Sequence, residues 1–142
     1  MIKDENLRLC ILSTLGKGEE EPLTSQDMIS LEELNCKSRD IESIDGLEDC
    51  INLKKVDLSS NRIEDISPLE GLEFIEELNL SRNALQSIEP ISDYVNLRYL
   101  NLSHNEVFPL DLKYLKDLDN LEELNINRTF ISHIDKLDKL EK

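Results

Sequence analysis

The chain has 142 residues, enough for one domain around one continuous core. Hydrophobic residues make up 39% and charged residues 33%, which fits a globular chain. No apolar run reaches the ~18 residues a membrane helix needs. The formal net charge of −15 has the wrong sign for direct nucleic-acid binding, and reads either as a device for solubility or as a field that attracts a basic protein.

Residues 1–30 predict a helical cap. The opening Met1-Ile2-Lys3-Asp4-Glu5-Asn6 is acidic and lacks a small-residue cleavage site, so a secretory signal is not expected there, although a mature secreted fragment would look the same. Asp4 can cap a helix whose inner stripe is Leu7, Cys10, Ile11 and Leu15, with Gly16 as its stop. A charged loop follows from Lys17 to Glu21. Thr24 and Asp27 then form a capping-box-like pair, flanked by Leu23 and Met28 at staple positions, which predicts a short second helix over 25–30. Such a cap covers the open edge and apolar end that a first strand would otherwise expose.

From Leu31 to the end one motif recurs five times. The copies open at Leu31, Leu53, Ile75, Leu97 and Leu121, at spacings of 22, 22, 22 and 24 residues. They occupy 31–52, 53–74, 75–96, 97–120 and 121–142, in one continuous domain with the cap. A period of about 20–29 residues with the pattern L-x-x-L-x-L-x-x-N-x-L marks a leucine-rich repeat. The expected fold is an α/β solenoid, a short right-handed horseshoe with five parallel strands on its concave face.

In the second copy Leu53, Val56, Leu58, Ile63, Ile66, Leu69 and Leu72 are expected inside, with a strand over 55–59 in which Lys55, Asp57 and Ser59 point out. Asn61, Asn83 and Asn105 turn the chain and can satisfy backbone groups of neighbouring coils. Arg39 and Thr129 replace them in the outer copies, as terminal repeats do. Pro68 and Pro90 suit a return path that needs no amide donor. The two extra residues of the fourth copy predict a helical turn or two on the convex side over 111–118. Leu137 and Leu140 complete the last core positions. The end is solvated by Lys136, Lys139 and Lys142, covered by a partner, or truncated.

Cys36 and Cys50 align with core leucines, so they are expected as buried thiols. With Cys10 they show no metal spacing and no disulfide pattern, which favours a reducing, cytoplasmic setting.

The strand positions facing out (second, third, fifth, seventh and eighth in each copy) form the candidate binding face. The residues proposed to meet a protein are Lys55, Asp57, Glu77, Asn79, Arg82, Arg98, Tyr99, Asn101, His104, Glu123, Asn125 and Arg128. Tyr99 with His104 and the arginines Arg82, Arg98 and Arg128 has hot-spot composition. The column Asn35, Asp57, Asn79, Asn101 and Asn125 is small and polar throughout, which a curved parallel sheet favours whatever its partner. The face carries seven acids and six bases and so nets −1.

Catalytic signals are weak. His104 neighbours Ser103 without an acid expected to orient it, and His133 lies on a loop. No phosphate loop or metal cluster is visible, so no enzyme activity, cofactor or metal is expected.

The stretches L-K-K-V-D-L-S-S-N-R-I-E-D-I-S-P-L from Leu53 and L-R-Y-L-N-L-S-H-N from Leu97 resemble the 22-residue bacterial repeats of internalins. Residues 4–31 are similar to the helical segment that precedes the first internalin repeat. This resemblance implies a bacterial, non-catalytic module that binds a protein through its concave face, and the net charge of −15 suits a monomer when unbound. The specific expectation is a cytoplasmic inhibitor or immunity-type protein with a basic partner, and neither nucleic acid nor membrane bound directly. The alternatives are a secreted internalin-like adhesin fragment, or a scaffold or regulatory subunit of an intracellular enzyme.

Overall fold

A computed structural model describes residues 2–132 of the chain. Helix α1 spans Glu5–Thr14. One oxygen of Asp4 accepts the Leu7 amide at 3.0 Å, and the other accepts the amides of Glu42 and Ser43 at 2.9 and 3.2 Å. The same carboxylate thus caps the helix and ties it to the first coil. Burial pushes the Asp4 carboxyl up, but the amides of Glu42, Leu7 and Ser43 more than offset this and hold it below its ordinary value.

The helix stops at Gly16, whose φ is +68°, with the Lys17 amide donating to Leu12 O and the Gly16 amide to Ser13 O. Its buried stripe is Leu7, Cys10, Ile11 and Leu12. Leu15, expected inside, sits in the cap and is only partly covered. Helix α2 spans Ser25–Ser30 and has the expected capping box. Thr24 and Asp27 exchange hydrogen bonds, and Lys17 Nζ reaches Asp27 at 2.7 Å.

Five short strands follow: β1 Glu33–Asn35, β2 Lys55–Asp57, β3 Glu77–Asn79, β4 Tyr99–Asn101 and, after β5 Leu110–Asp111, β6 Glu123–Asn125. They form one parallel sheet in the order β1-β2-β3-β4-β6. The register pairs Leu34 with Val56, Val56 with Leu78, Leu78 with Leu100 and Leu100 with Leu124, which is the sequence period itself. Backbone bonding runs past the strand ends, since Leu58 N donates to Asn79 O and Ser60 N to Ser81 O.

Behind the sheet lies one core, from Leu7 in the cap to Leu121. The return path carries single 3₁₀ turns at Leu47–Asp49, Ser67–Leu69 and Glu89–Ile91, with Pro68 and Pro90 at their starts. Tyr94 takes a core leucine position and is buried. Its hydroxyl donates to Leu69 O at 2.6 Å, and burial pushes its ionisation up.

The asparagine turn is a continuous ladder. Asn61 Nδ2 donates to Cys36 O at 2.9 Å and Leu58 O at 2.8 Å, while its Oδ1 accepts the amides of Arg39 and Ile41. Asn83 bonds Leu58 O, Leu80 O and the Ile63 amide. Asn105 bonds Leu80 O, Leu102 O and the Leu85 amide. Thr129 closes the series, its hydroxyl donating to Leu102 O at 2.8 Å.

Two expectations are corrected here. Cys10 and Cys36 are not free thiols. They form a disulfide with Cα atoms 5.8 Å apart, which leaves Cys50 as the buried free cysteine. The pairing is long-range: α1 packs its Cys10 side on β1, and nothing in the spacing of 26 residues announces that contact. Burial, with Asp49 and Glu48 nearby, pushes the Cys50 thiol up to about 12.

The extra residues of the fourth coil also lie elsewhere than expected. Leu110 pairs with Ile131, the core residue of the next coil, through β5 and β7 (Ile131–Ser132). The added length is therefore an exposed bulge at Val107, Phe108 and Pro109, just after the Asn105 turn. The convex segment does carry a helical turn within 111–118, the single 3₁₀ turn Leu112–Leu115. Leu137, Leu140, His133 and the terminal lysines lie outside the described residues.

Candidate functional site

The outer face of the five-stranded sheet arranges side chains in columns, because parallel strands in register stack equivalent residues about 4.8 Å apart. The third column is Glu33, Lys55, Glu77, Tyr99 and Glu123. The fifth is Asn35, Asp57, Asn79, Asn101 and Asn125. A depression of about 400 Å³ lies over the first four strands and is lined by Thr14, Asn35, Lys55, Asp57, Asn79 and Tyr99, among others. The sequence-proposed residues Lys55, Asp57, Glu77, Asn79, Tyr99 and Asn101 therefore sit together, with Glu123 and Asn125 on the last strand beside them.

The seventh column differs from expectation. Ser59, Ser81 and Ser103 are buried, not exposed. The fifth-column residue two positions before each folds back over the turn. Asn79 Oδ1 accepts the Ser81 amide and hydroxyl, and Asn101 Oδ1 does the same for Ser103, with hydroxyl distances of 2.8 and 2.7 Å. The fifth-column amides are thus committed to holding the turn. In the second coil Asp57 accepts the Ser59 amide, and Ser59 Oγ is buried with no hydrogen-bond partner among the described residues.

The eighth column presents Ser38, Ser60, Arg82, His104 and Arg128. All five have left-handed backbone, with φ between +52° and +59°. This conformation is costly for a residue with a side chain. The parallel ladder over-determines it, with Arg82 N donating to Ser103 O and His104 N to Asn127 O, both at 2.8 Å. Arg82, His104 and Arg128 accordingly project from adjacent rungs at one rim of the face. Val107, Phe108 and Phe130 are exposed near this rim, where the Phe130 amide donates to Asn105 O and the Leu110 amide to Phe130 O.

Charges on the face are paired across rungs. Lys54 meets Glu32, Lys55 meets Glu77 and Arg98 meets Glu122, each at 2.8 Å. Hydrogen bonding to its glutamate raises each base above its ordinary value. These pairs are exposed, so they set the charge pattern more than they stabilise the fold. Glu32, Lys54 and Glu122 were absent from the sequence-proposed set, since side-to-side partners appear only once the rungs are stacked.

His104 Nδ1 lies 3.7 Å from Glu106 Oε1, so an acid does stand near this imidazole. The Ser103 hydroxyl, however, donates to Asn101 and not to His104. No group of three or more His, Cys, Asp or Glu residues that could hold a metal ion occurs among the described residues. No helix among them is long and apolar enough to cross a membrane.

Residues 51–107 match the leucine rich repeat family, and residues 29–71 match leucine rich repeats in two copies, so the two matches together run over more than half of the chain. A search of curated proteins finds no match. Among solved structures, the chain is similar to the internalin inlF of Listeria monocytogenes, with a TM-score of 0.87 and 26% identity over 96% of this chain and 40% of that one. It is also similar to internalin C2 of Listeria monocytogenes, with a TM-score of 0.79 and 23% identity over 98% of this chain and 71% of that one. A third similarity is to the BIR3–SERK2 complex of Arabidopsis thaliana, with a TM-score of 0.55 and 26% identity over 66% of this chain and 54% of that one. The chain thus spans well under half the length of the inlF structure. With the capped five-strand sheet, these matches identify the chain as a member of the leucine-rich repeat family, with a solenoid of the internalin kind.

Proposed function

We propose that the strand face holds one protein partner, through the ground between Tyr99 and the Arg82–His104–Arg128 rim. The observation that carries this reading is the rigidity of the face. Its polar columns are locked by backbone and amide bonds, so a partner would meet a surface ordered before it arrives, with little conformational entropy left to lose. The leucine-rich repeat fold supports a protein-interaction role, and one structural neighbour was solved as a two-protein complex. The module is read as non-catalytic and as a monomer when unbound.

Its setting has two readings. The Cys10–Cys36 bridge supports an oxidising compartment, and with it a secreted, internalin-like binding protein. The cytoplasmic inhibitor of a basic protein draws its support from the net charge of −15, which would steer such a partner from a distance. Cell fractionation combined with tagged capture at low and high salt separates the two. The double variant Tyr99→Ala, Arg82→Ala tests the face itself. Captured partner should bind it at least about tenfold more weakly with unaltered melting. Unchanged affinity would move the site off this face.

A further inference from the structure

The ion pairs of the face leave a remainder that is sorted in space. After Lys54–Glu32, Lys55–Glu77 and Arg98–Glu122 are matched, the acids without an ion pair among the described residues are Glu33, Glu76, Glu123 and Asp57. Asp57 is engaged in the central column by the Ser59 amide and Asn79. The other three all lie at the second and third columns, where the strands begin. The face bases without an ion pair among the described residues are Lys37, Arg82 and Arg128, and all lie at the seventh and eighth columns, where the strands have ended. His104 stands between the two arginines. Third and eighth columns are five residues apart, which is at most about 16 Å and less than that here because the chain turns after the fifth column. Between them runs the fifth column, neutral except at Asp57.

We propose that the face is charge-polarised across its strands and that it selects a partner carrying the reverse order: a basic flank over the Glu33–Glu76–Glu123 edge and an acidic flank over the Arg82–His104–Arg128 edge. This rests on the strand face being the binding surface, and adds to it the partner's chemistry and orientation. The overall charge of −15 cannot supply this selection, because a net field attracts any basic body without orienting it across the strands. Local complementarity fixes register and excludes a partner docked the other way round, since reversal would set like charges against each other at both edges. Backbone bonds from Arg82 N to Ser103 O and from His104 N to Asn127 O tie these rungs together, so the two arginines keep their places along the edge.

The probe is a zwitterionic peptide with two lysines at one end, two glutamates at the other and a six-residue Gly/Ser spacer, whose mean reach is about 14 Å. It is prepared in two forms, with a nitroxide at either end, and added at low ionic strength to the isotopically labelled full chain. With the label beside the glutamates, amide signals of Arg82, His104 and Arg128 should lose intensity. With the label beside the lysines, those of Glu33, Glu76 and Glu123 should. High salt should restore both. In the variant Glu33→Lys, Glu123→Lys, Arg82→Glu, Arg128→Glu the two patterns should exchange. Intensity loss at the same edge from both labels, at both edges from each, or at neither edge overturns the polarity. The peptide needs no natural partner, so its failure leaves partner capture on this face untouched. A failed capture, equally, leaves the polarity measured.

Discussion

Replacing the ladder asparagines should expose an asymmetry that follows from who shares whose hydrogen bonds. Leu58 O accepts from both Asn61 and Asn83, and Leu80 O from both Asn83 and Asn105. In Asn83→Ala each carbonyl therefore keeps one donor, and the Ile63 amide alone is stranded. One orphaned buried amide costs about 1–3 kcal/mol, and weakening of the two shared carbonyls adds about 1, for a total near 3 kcal/mol. Asn61 sits at the end of the ladder, where Arg39 supplies no amide to share. Asn61→Ala strands two buried groups, the Ile41 amide and Cys36 O, and the part-buried Arg39 amide besides, for about 5 kcal/mol. At roughly 3 °C per kcal/mol for a chain of this length, the two variants should melt about 9 and 15 °C below the parent. Calorimetry or denaturant titration reads the difference directly. If Asn83→Ala costs as much as Asn61→Ala, or if both cost under about 1 kcal/mol, shared satisfaction along the ladder is not what holds the coils.

The Cys10–Cys36 bridge spans 26 residues, and loop closure assigns it about 3.5 kcal/mol, so the double variant Cys10→Ala, Cys36→Ala should lose roughly that in urea denaturation. Alkylation of the native oxidised chain should modify no cysteine, and of the unreduced, denatured chain Cys50 alone. Tyr94→Phe removes the hydroxyl from Leu69 O, which keeps the Leu72 amide, so a small loss of about 1 kcal/mol is expected in the same assay. Asp27 is held at about 2 by hydrogen bonds from Lys17 and Thr24, below its ordinary 3.8. A depressed carboxylate contributes stability above its unfolded value and loses it as the pH falls, here between about 4 and 2. Denaturant midpoints measured across that window should fall less steeply in Asp27→Asn than in the parent.

Much of this was legible in the residues. The spacing of Leu31, Leu53, Ile75, Leu97 and Leu121 dictated a parallel sheet in register, because only stacked coils bury leucines that recur at such a period. Asp4, Gly16, Thr24 and Asp27 marked both helices of the cap, since capping is satisfied by neighbours a few residues away. Asn61, Asn83 and Asn105 were readable as turn ladders because they recur at the repeat period, which stacks each against the preceding coil, and the face residues could be named by column. What escaped were contacts between positions that the repeat does not make equivalent, and the choice of ion pairs between those it does. The Cys10–Cys36 bridge needed α1 docked on β1. The burial of Ser59, Ser81 and Ser103 needed the fifth-column side chains folded over the turn. The fourth-coil bulge needed Leu110 matched to Ile131. The sorting of unpaired charge to opposite edges needed the lateral ion pairs between coils. A period determines which residues face in and which face out. It also carries the register of equivalent residues in adjacent coils, but holds no information on contacts between non-equivalent positions, and those are made only when the chain folds and the coils stack.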